Sequence, residues 1–294
     1  MTLQHLIDLS EHYFNRVNSD SSTRLPGIFV IRKIERTHME SLIYKPVICL
    51  ILRGGKNTSI GFQSAQLNAG DALLISHDLP VISSITEASA EAPYLALILT
   101  LDIGLIRNLY EAVGGAVSET ADAQSLTTGF ADPSWTDPLG RYLSLMDNPV
   151  DAQVVGPLVL REIHYRLLMS PIGGMLRNLL SVDSHASRVA KVILHIRTQF
   201  RTPLAMADLA QLAGMGQSSF HEHFKAVTGT TPLQYQKELR MFEARDLLGS
   251  GGMSVSAVSY EVGYESSTQF SREYTRRFGV PPKAHLRKPA LTAV

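Results

Sequence analysis

The chain has 294 residues, with 27 Lys and Arg balancing 27 Asp and Glu and 45% hydrophobic residues; this length has room for about two domains, and the composition excludes a disordered chain. Its single cysteine, Cys49, excludes an internal disulfide framework and a cysteine-rich zinc site. The zero net charge is unevenly divided: residues 185–294 carry 14 Lys and Arg against 8 Asp and Glu, a net of +6, so residues 1–184 are acidic by the same margin.

The first segment, "MTLQHLIDLSEHYFNRV", reads as an amphipathic helix without the apolar stretch of a signal peptide. No apolar run approaches the ~20 residues that a bilayer requires, so a cytoplasmic protein without a membrane partner is expected. Residues 26–101 change character. The short apolar runs "GIFVI", "VICLIL", "ALLIS" and "YLALILTL" alternate with the turn signals "LRGGKN", "LNAGD" and "HDLP", a pattern of many short strands in a β-barrel or sandwich. Cys49 lies inside one of these runs and reads as a small buried hydrophobe.

Residues 102–180 turn helical. Asp102 is a good N-cap for "DIGLIRNLYEAV". Leu105, Ile106 and Leu109 form one apolar stripe, and Leu160, Ile163, Leu167 and Leu168 another. Both stripes suit either a homodimer contact or a monomer core; the expectation adopted is the dimer. Between them, "GGAVSETADAQSLTTGFADPSW" reads as a weakly ordered connector, and residues 181–187 as an interdomain linker.

After that linker the chain repeats itself with a period near 50. "LAQLAGMGQSSFHEHFKAVTGTTP" (209–232) aligns with "VSYEVGYESSTQFSREYTRRFGVPP" (258–282), pairing Gly214 with Gly263, Phe220 with Phe270, Phe224 with Tyr274 and Gly229 with Gly279. Each copy reads as helix, glycine turn, helix. The apolar positions Phe220, Phe224, Val227 and Phe270, Tyr274, Phe278 would bury one stripe of each second helix. The opposite face carries Gln217, Ser218, His221, Glu222 and Lys225 in the first copy. In the second it carries Ser267, Thr268, Ser271, Arg272 and Arg276. Short polar groups near a helix start suit base edges in a major groove, and cations further along suit phosphates. The pattern His221-Glu222-His223 does not make a metal site, because neighbours on a helix point about 100° apart.

These residues resemble the double helix-turn-helix DNA-binding domain of AraC/XylS transcription regulators over residues 186–288. The resemblance implies two recognition helices entering successive major-groove segments of promoter DNA, and RNA polymerase as a partner if the protein is an activator. Three positions depart from the family pattern: Gly216 replaces the usual Ser cap, Ser259 a small Ala, and Glu222 a common Arg.

The segments "YKPVICLILRGGKNTSIG", "AGD", "HDLPV" and "PYLAL" resemble the cupin-like sensor barrel of one branch of that family. Only His38 and His77 are available there as metal-type ligands, so no metal and no cofactor is expected. A sensor needs a small-molecule effector. "RKIER" places Arg32 and Arg36 in an R-x-x-x-R pattern, and "NTSIG" adds Asn57, Ser59 and Gly61. Together they resemble the PilZ signature for cyclic di-GMP. Guanidinium groups can grip phosphates or guanine edges, and an effector of this kind would imply exopolysaccharide or biofilm target genes. In a regular strand the two arginines would stand roughly 13 Å apart, so a loop must bring them together. The plain alternative is a solvated edge whose cations discourage aggregation.

The expected fold is thus α+β: an N-terminal cupin-like β-barrel with flanking helices (1–184) and a C-terminal all-α double helix-turn-helix domain (185–294). The expected function is a ligand-responsive, non-enzymatic DNA-binding regulator. Three alternatives stand beside cyclic di-GMP sensing: another effector, a barrel used only for dimerisation, and a metal-independent cupin enzyme fused to a DNA-binding tail.

Overall fold

Helix α1 (Leu3–Ser19) opens the chain in the computed structural model, which describes residues 2–114, 120, 124–182 and 184–286. The Thr2 side chain caps it, accepting from His5 N. Eight strands follow: β1 (Ile28–Lys33), β2 (Glu40–Tyr44), β3 (Val47–Arg53), β4 (Gly55–Ile60), β5 (Gln63–Asn68), β6 (Asp71–Ile75), β7 (Leu79–Glu87) and β8 (Tyr94–Thr100). A ninth, β9 (Leu126–Phe130), comes from the stretch expected to be a weakly ordered connector. It pairs antiparallel with β6, Asp71 opposite Phe130 through Ile75 opposite Leu126. The remainder of that connector at 115–119 and 121–123, Asp183 of the linker, and residues 287–294 lie outside the described residues.

The strands form two antiparallel sheets, ordered β1-β8-β3-β6-β9 and β2-β7-β4-β5. The expected barrel is therefore a pair of sheets whose ladders do not join among the described residues. The unbroken apolar runs have a simple cause. The five-stranded sheet is buried on both faces, and period two sends alternate residues to opposite cores. Ile48, Leu50, Leu52, Leu95, Leu97 and Leu99 face the helices. Val47, Cys49, Ile51, Tyr94, Ala96 and Ile98 face the second core, which holds Ile60, Leu67, Val81 and Ile85 of the four-stranded sheet.

The helical layer comprises α2 (Ile103–Val113), α3 (Pro133–Ser144), α4 (Pro149–Val154), α5 (Gly156–Met169) and α6 (Gly174–Leu180). Asp102 caps α2, accepting from Leu105 N at 2.9 Å. The apolar stripes assigned to a dimer contact are used inside the monomer. Ile106, Leu109, Ile163, Leu167 and Leu168 are buried in the first core with Trp135 and Tyr142, and Leu105 and Leu160 pack against it. Covering one face of the five-stranded sheet consumes that apolar surface.

The rest is helical: α7 (His185–Gln199), α8 (Met206–Leu212), α9 (Gln217–Thr228), α10 (Pro232–Ser250), α11 (Val255–Glu261) and α12 (Ser267–Phe278). The first helix-turn-helix does not own a separate core. Val189, Val192, Phe220, Phe224, Tyr235 and Leu239 belong to the cluster that fills the space between the sheets. The second motif has its own, built from Met241, Ala244, Leu248, Val258, Phe270 and Tyr274. Helix α10 crosses from one core to the other between Leu239 and Met241.

Candidate nucleic-acid interface

Helices α9 and α12 are built alike. Phe220 and Phe224 are fully buried, edge to face at 5.6 Å, and Phe224 meets Tyr235 at 5.9 Å. Phe270 and Tyr274 take the same places in α12. Both helices end at a glycine in the left-handed region, Gly229 and Gly279, whose N–H groups donate to Lys225 O and Thr275 O. Their starts differ. Ser266 caps α12 by accepting from Gln269 N, whereas Gly216 leaves α9 without a side-chain cap.

Burying these stripes turns the opposite faces outward. Gln217, Ser218, His221, Glu222 and Lys225 are all exposed. On α12, Thr268, Arg272 and Arg276 are exposed and Ser267 and Ser271 half-buried. These five, with Thr275, line one shallow depression. The sequence reading had omitted Thr275, although it lies four residues beyond Ser271 on the same face and donates to its carbonyl at 2.8 Å. Lys225 is exposed on this face, with its ammonium 4.3 Å from the centre of the Phe62 ring in the β4–β5 turn. Arg277 is turned sideways, half-buried, and donates to Glu238 Oε2 and to Ser41 Oγ, each at 2.6 Å.

The junction between the sheets and the first motif is polar as well as apolar. Tyr235 donates to Asp78 O at 2.8 Å, and Arg197 pairs with the Asp78 carboxylate at 2.5 Å. Ser125 donates to Val227 O and also meets His77 Nε2, while Ser76 meets His77 Nδ1 at 3.0 Å. Burial pushes the His77 imidazole down to about 3, so it stays neutral. Phe62 N donates to Gly229 O at 3.2 Å. Gly61 lies so close that a Cβ there would collide with the Gly229 carbonyl.

The five residues of the expected effector motif are not brought together. Arg32 lies on β1 in the five-stranded sheet and Arg36 in the segment after it, both exposed. Asn57 and Ser59 lie on β4 in the other sheet, and Gly61 is taken up by the contact with Gly229. Asn57 and Ser59 do share a groove of about 360 Å³ with Met39, Ser64, Gln66, Ile82 and Ser84, but neither arginine lines it and its lining carries no charge. Alternation along β4 explains the split: Lys56, Thr58 and Ile60 face inward, Asn57 and Ser59 outward.

The inward face holds a polar group that sequence reasoning passed over. Lys56 is only 5% exposed, donates to Tyr44 Oη at 2.8 Å, and has no carboxylate within ion-pair distance among the described residues. Tyr44 Oη meets Ser83 Oγ at 3.3 Å, and the buried Thr58 hydroxyl has no partner. The signal was available, since lysine in an alternating strand between Gly55 and Thr58 falls on the apolar phase.

Residues 24–175 match the model of the AraC-type transcriptional regulator N-terminus, and residues 209–288 a helix-turn-helix domain. The regulator ExsA of Pseudomonas aeruginosa is 30% identical over 125 residues, which is 42% of this chain and 45% of that protein. The virulence regulon activator VirF of Yersinia enterocolitica is 38% identical over 88 residues, 30% of this chain and 32% of that one. The matched part thus spans less than half the length of these relatives. Among solved structures, ToxT from Vibrio cholerae with unsaturated fatty acid bound has a TM-score of 0.55 at 12% identity, covering 91% of this chain and 96% of that one. At that identity the likeness is one of fold.

Proposed function

Because this chain belongs to the AraC-type family of transcriptional regulators, we propose that it is a ligand-responsive, sequence-specific DNA-binding regulator that activates transcription. The observation that carries the DNA-reading part is the duplicated motif, with two buried aromatic stripes and two outward polar faces built alike. Residues 185–294 read promoter DNA, and residues 1–184 hold the sensing half. The relatives' names as activators support the sign of regulation, and RNA polymerase follows as a partner.

Base contacts are assigned to Gln217, Ser218, His221 and Glu222 of α9 and to Ser267, Thr268, Ser271 and Arg272 of α12, with Lys225 and Arg276 on phosphates. Arg272→Ala is expected to weaken binding of a selected operator by about 1–3 kcal/mol and to relax its sequence preference at one position. Arg276→Ala should weaken all sequences alike and lower the slope of log affinity against log salt by about one. Salt titrations of gel shifts check both; a salt-independent affinity would sink the DNA-reading assignment.

The effector reading rests on Lys56 and Thr58. Lys56 is buried with the Tyr44 phenol as its hydrogen-bond partner and Glu40 near enough to favour its charge, while the Thr58 hydroxyl beside it has no partner; a buried polar group left without a partner is costly. Cyclic di-GMP is the weaker candidate, because Arg32 and Arg36 would have to converge on Asn57 and Ser59. Calorimetry of the full chain with cyclic di-GMP is expected to show no saturable heat. Tight binding lost in Arg32→Ala plus Arg36→Ala would reinstate it.

A homodimer is retained on a different surface from the one first expected. Val150, Val154 and Leu158 recur every four residues along α4 and the start of α5 and are 68%, 65% and 66% exposed. Paired half-sites would follow from a two-fold dimer.

A further inference from the structure

The second helix-turn-helix shares no apolar core with the sheets, yet it is tied to them. Edge strand β2 presents Ser41 on its outward face, opposite Ile82 of β7. Two arginines from the second motif's own core region close on that one residue. Arg245 of α10 donates to Ser41 O at 2.7 Å, and Arg277 of α12 donates to Ser41 Oγ at 2.6 Å.

Both guanidinium groups are held before they reach Ser41. Arg245 lies over the rings of Phe242 and Phe278 at 5.2 and 5.3 Å, and Arg277 over the same two rings at 5.6 and 5.8 Å. Glu238 of α10 also accepts from Arg277 Nε. Stacking on rings keeps a guanidinium in one plane with little rotamer freedom left, so its remaining donors become directional. Burial and the neighbouring Arg277 lower the Arg245 guanidinium, against the pull of Asp246; the group remains charged throughout any working range.

We infer that Arg245 and Arg277 are positioning residues for DNA reading: by gripping Ser41 they fix the pose of the second recognition helix against the sensing half. This rests on the assignment of α9 and α12 as the reading helices. The grip does not compete with DNA. Arg277 leaves α12 on a different side from Arg272 and Arg276, which stay exposed. The first motif needs no such grip, since it is fused to the sheets through a common core. The second would otherwise be oriented only through α10 and its contacts with the first motif, among them Arg240, which donates to Phe200 O, Thr202 O and Gly263 O. A two-part reader whose parts are held at a fixed separation binds its two segments as one ligand; a loosened part loses that effective concentration.

The test uses the full chain on operator DNA selected by the wild type from a random library, with hydroxyl-radical footprinting across both segments. Ser41→Ala removes the acceptor of Arg277 while leaving every residue of the reading half in place. Protection of the α12 segment should then require about three- to tenfold more protein, the scale of one lost hydrogen bond of ordinary net strength, with the α9 segment unchanged. Arg277→Gln, which also gives up the Glu238 pair and the stacking on Phe242 and Phe278, should weaken the α12 segment at least as much, and adding Ser41→Ala to it should bring little more, since the contact with Ser41 Oγ is already gone. Equal protection of both segments by wild type and Ser41→Ala would overturn the inference. So would stronger protection of the α12 segment, which would make the grip inhibitory. Failure of the wild type to select any DNA would instead strike at the reading assignment itself. A circular dichroism melt of each variant matching the wild type shows that folding is intact.

Discussion

Phe224→Ala is expected to destabilise the protein by about 3–5 kcal/mol, the range for emptying a buried phenylalanine site. Its ring is fully buried among Phe220, Tyr235 and residues that reach between the two sheets. The informative quantity is where the damage appears. The chain has one tryptophan, Trp135, buried in the helical layer on the far side of the five-stranded sheet. Because the first motif and the sheets share a core, thermal unfolding followed by Trp135 fluorescence should shift down together with the helical signal, by several degrees or more. A Trp135 transition that stays in place while helix content melts early would mean the halves unfold independently. The reciprocal experiment is Tyr274→Ala, which empties the separate core of the second motif and should leave the Trp135 transition nearly unmoved.

Gly263→Ala should cost about 2 kcal/mol or more and loosen the second motif from the first. Gly263 has φ +89°, where an added Cβ alone costs about 1–2 kcal/mol. That Cβ would also run into the Arg201 carbonyl and approach Arg240 Nη2 to 3.0 Å. Those atoms are backbone and a guanidinium already committed to three carbonyls, so neither can give way cheaply. Gly279→Ala is the control. Its φ is +72°, but nothing lies within 4 Å of the added atom, so only the backbone cost of about 1–2 kcal/mol should appear. Denaturant titration distinguishes the two. Equal losses at both positions would show that the approach of Gly263 to Arg201 is not tight in solution.

Much of the reading half was legible because its information is local. A 3.6-residue stripe of aromatics, a turn glycine and a terminal glycine fixed α9 at Gln217–Thr228 and α12 with Ser266 as its cap. The same local reasoning noticed that Gly216 offers no side-chain cap. What it missed is long-range. Nothing near Leu105 or Leu160 says whether an apolar stripe meets its own sheet or a second copy; the sheet claimed it. The segment around Leu126 has too few apolar residues to announce a strand, and it is one because the edge of β6 was open to pairing. The arginines at 32 and 36 looked joined to Asn57 and Ser59 because the motif is read along the chain, but β1 and β4 belong to different sheets. Lys56 carried the opposite lesson: its phase in β4 was readable, and only its identity as lysine argued against the inside.

The meeting of Gly61 with Gly229 is made of main-chain atoms alone. Phe62 N–H bonds to Gly229 O, the Gly229 carbonyl bars a side chain on Gly61, and the Ile60 carbonyl crowds one on Gly229. A contact of this kind carries almost no sequence signature. Its two surfaces can diverge freely around it, as long as two positions stay bare. Insertions that lengthen the β4–β5 hairpin would break it at once, whereas wholesale replacement of the surrounding side chains would not. This one contact between the halves is therefore tolerant of substitution around it and intolerant of changes in length, and variation in this hairpin should be sought in the identity of its residues and not in their number.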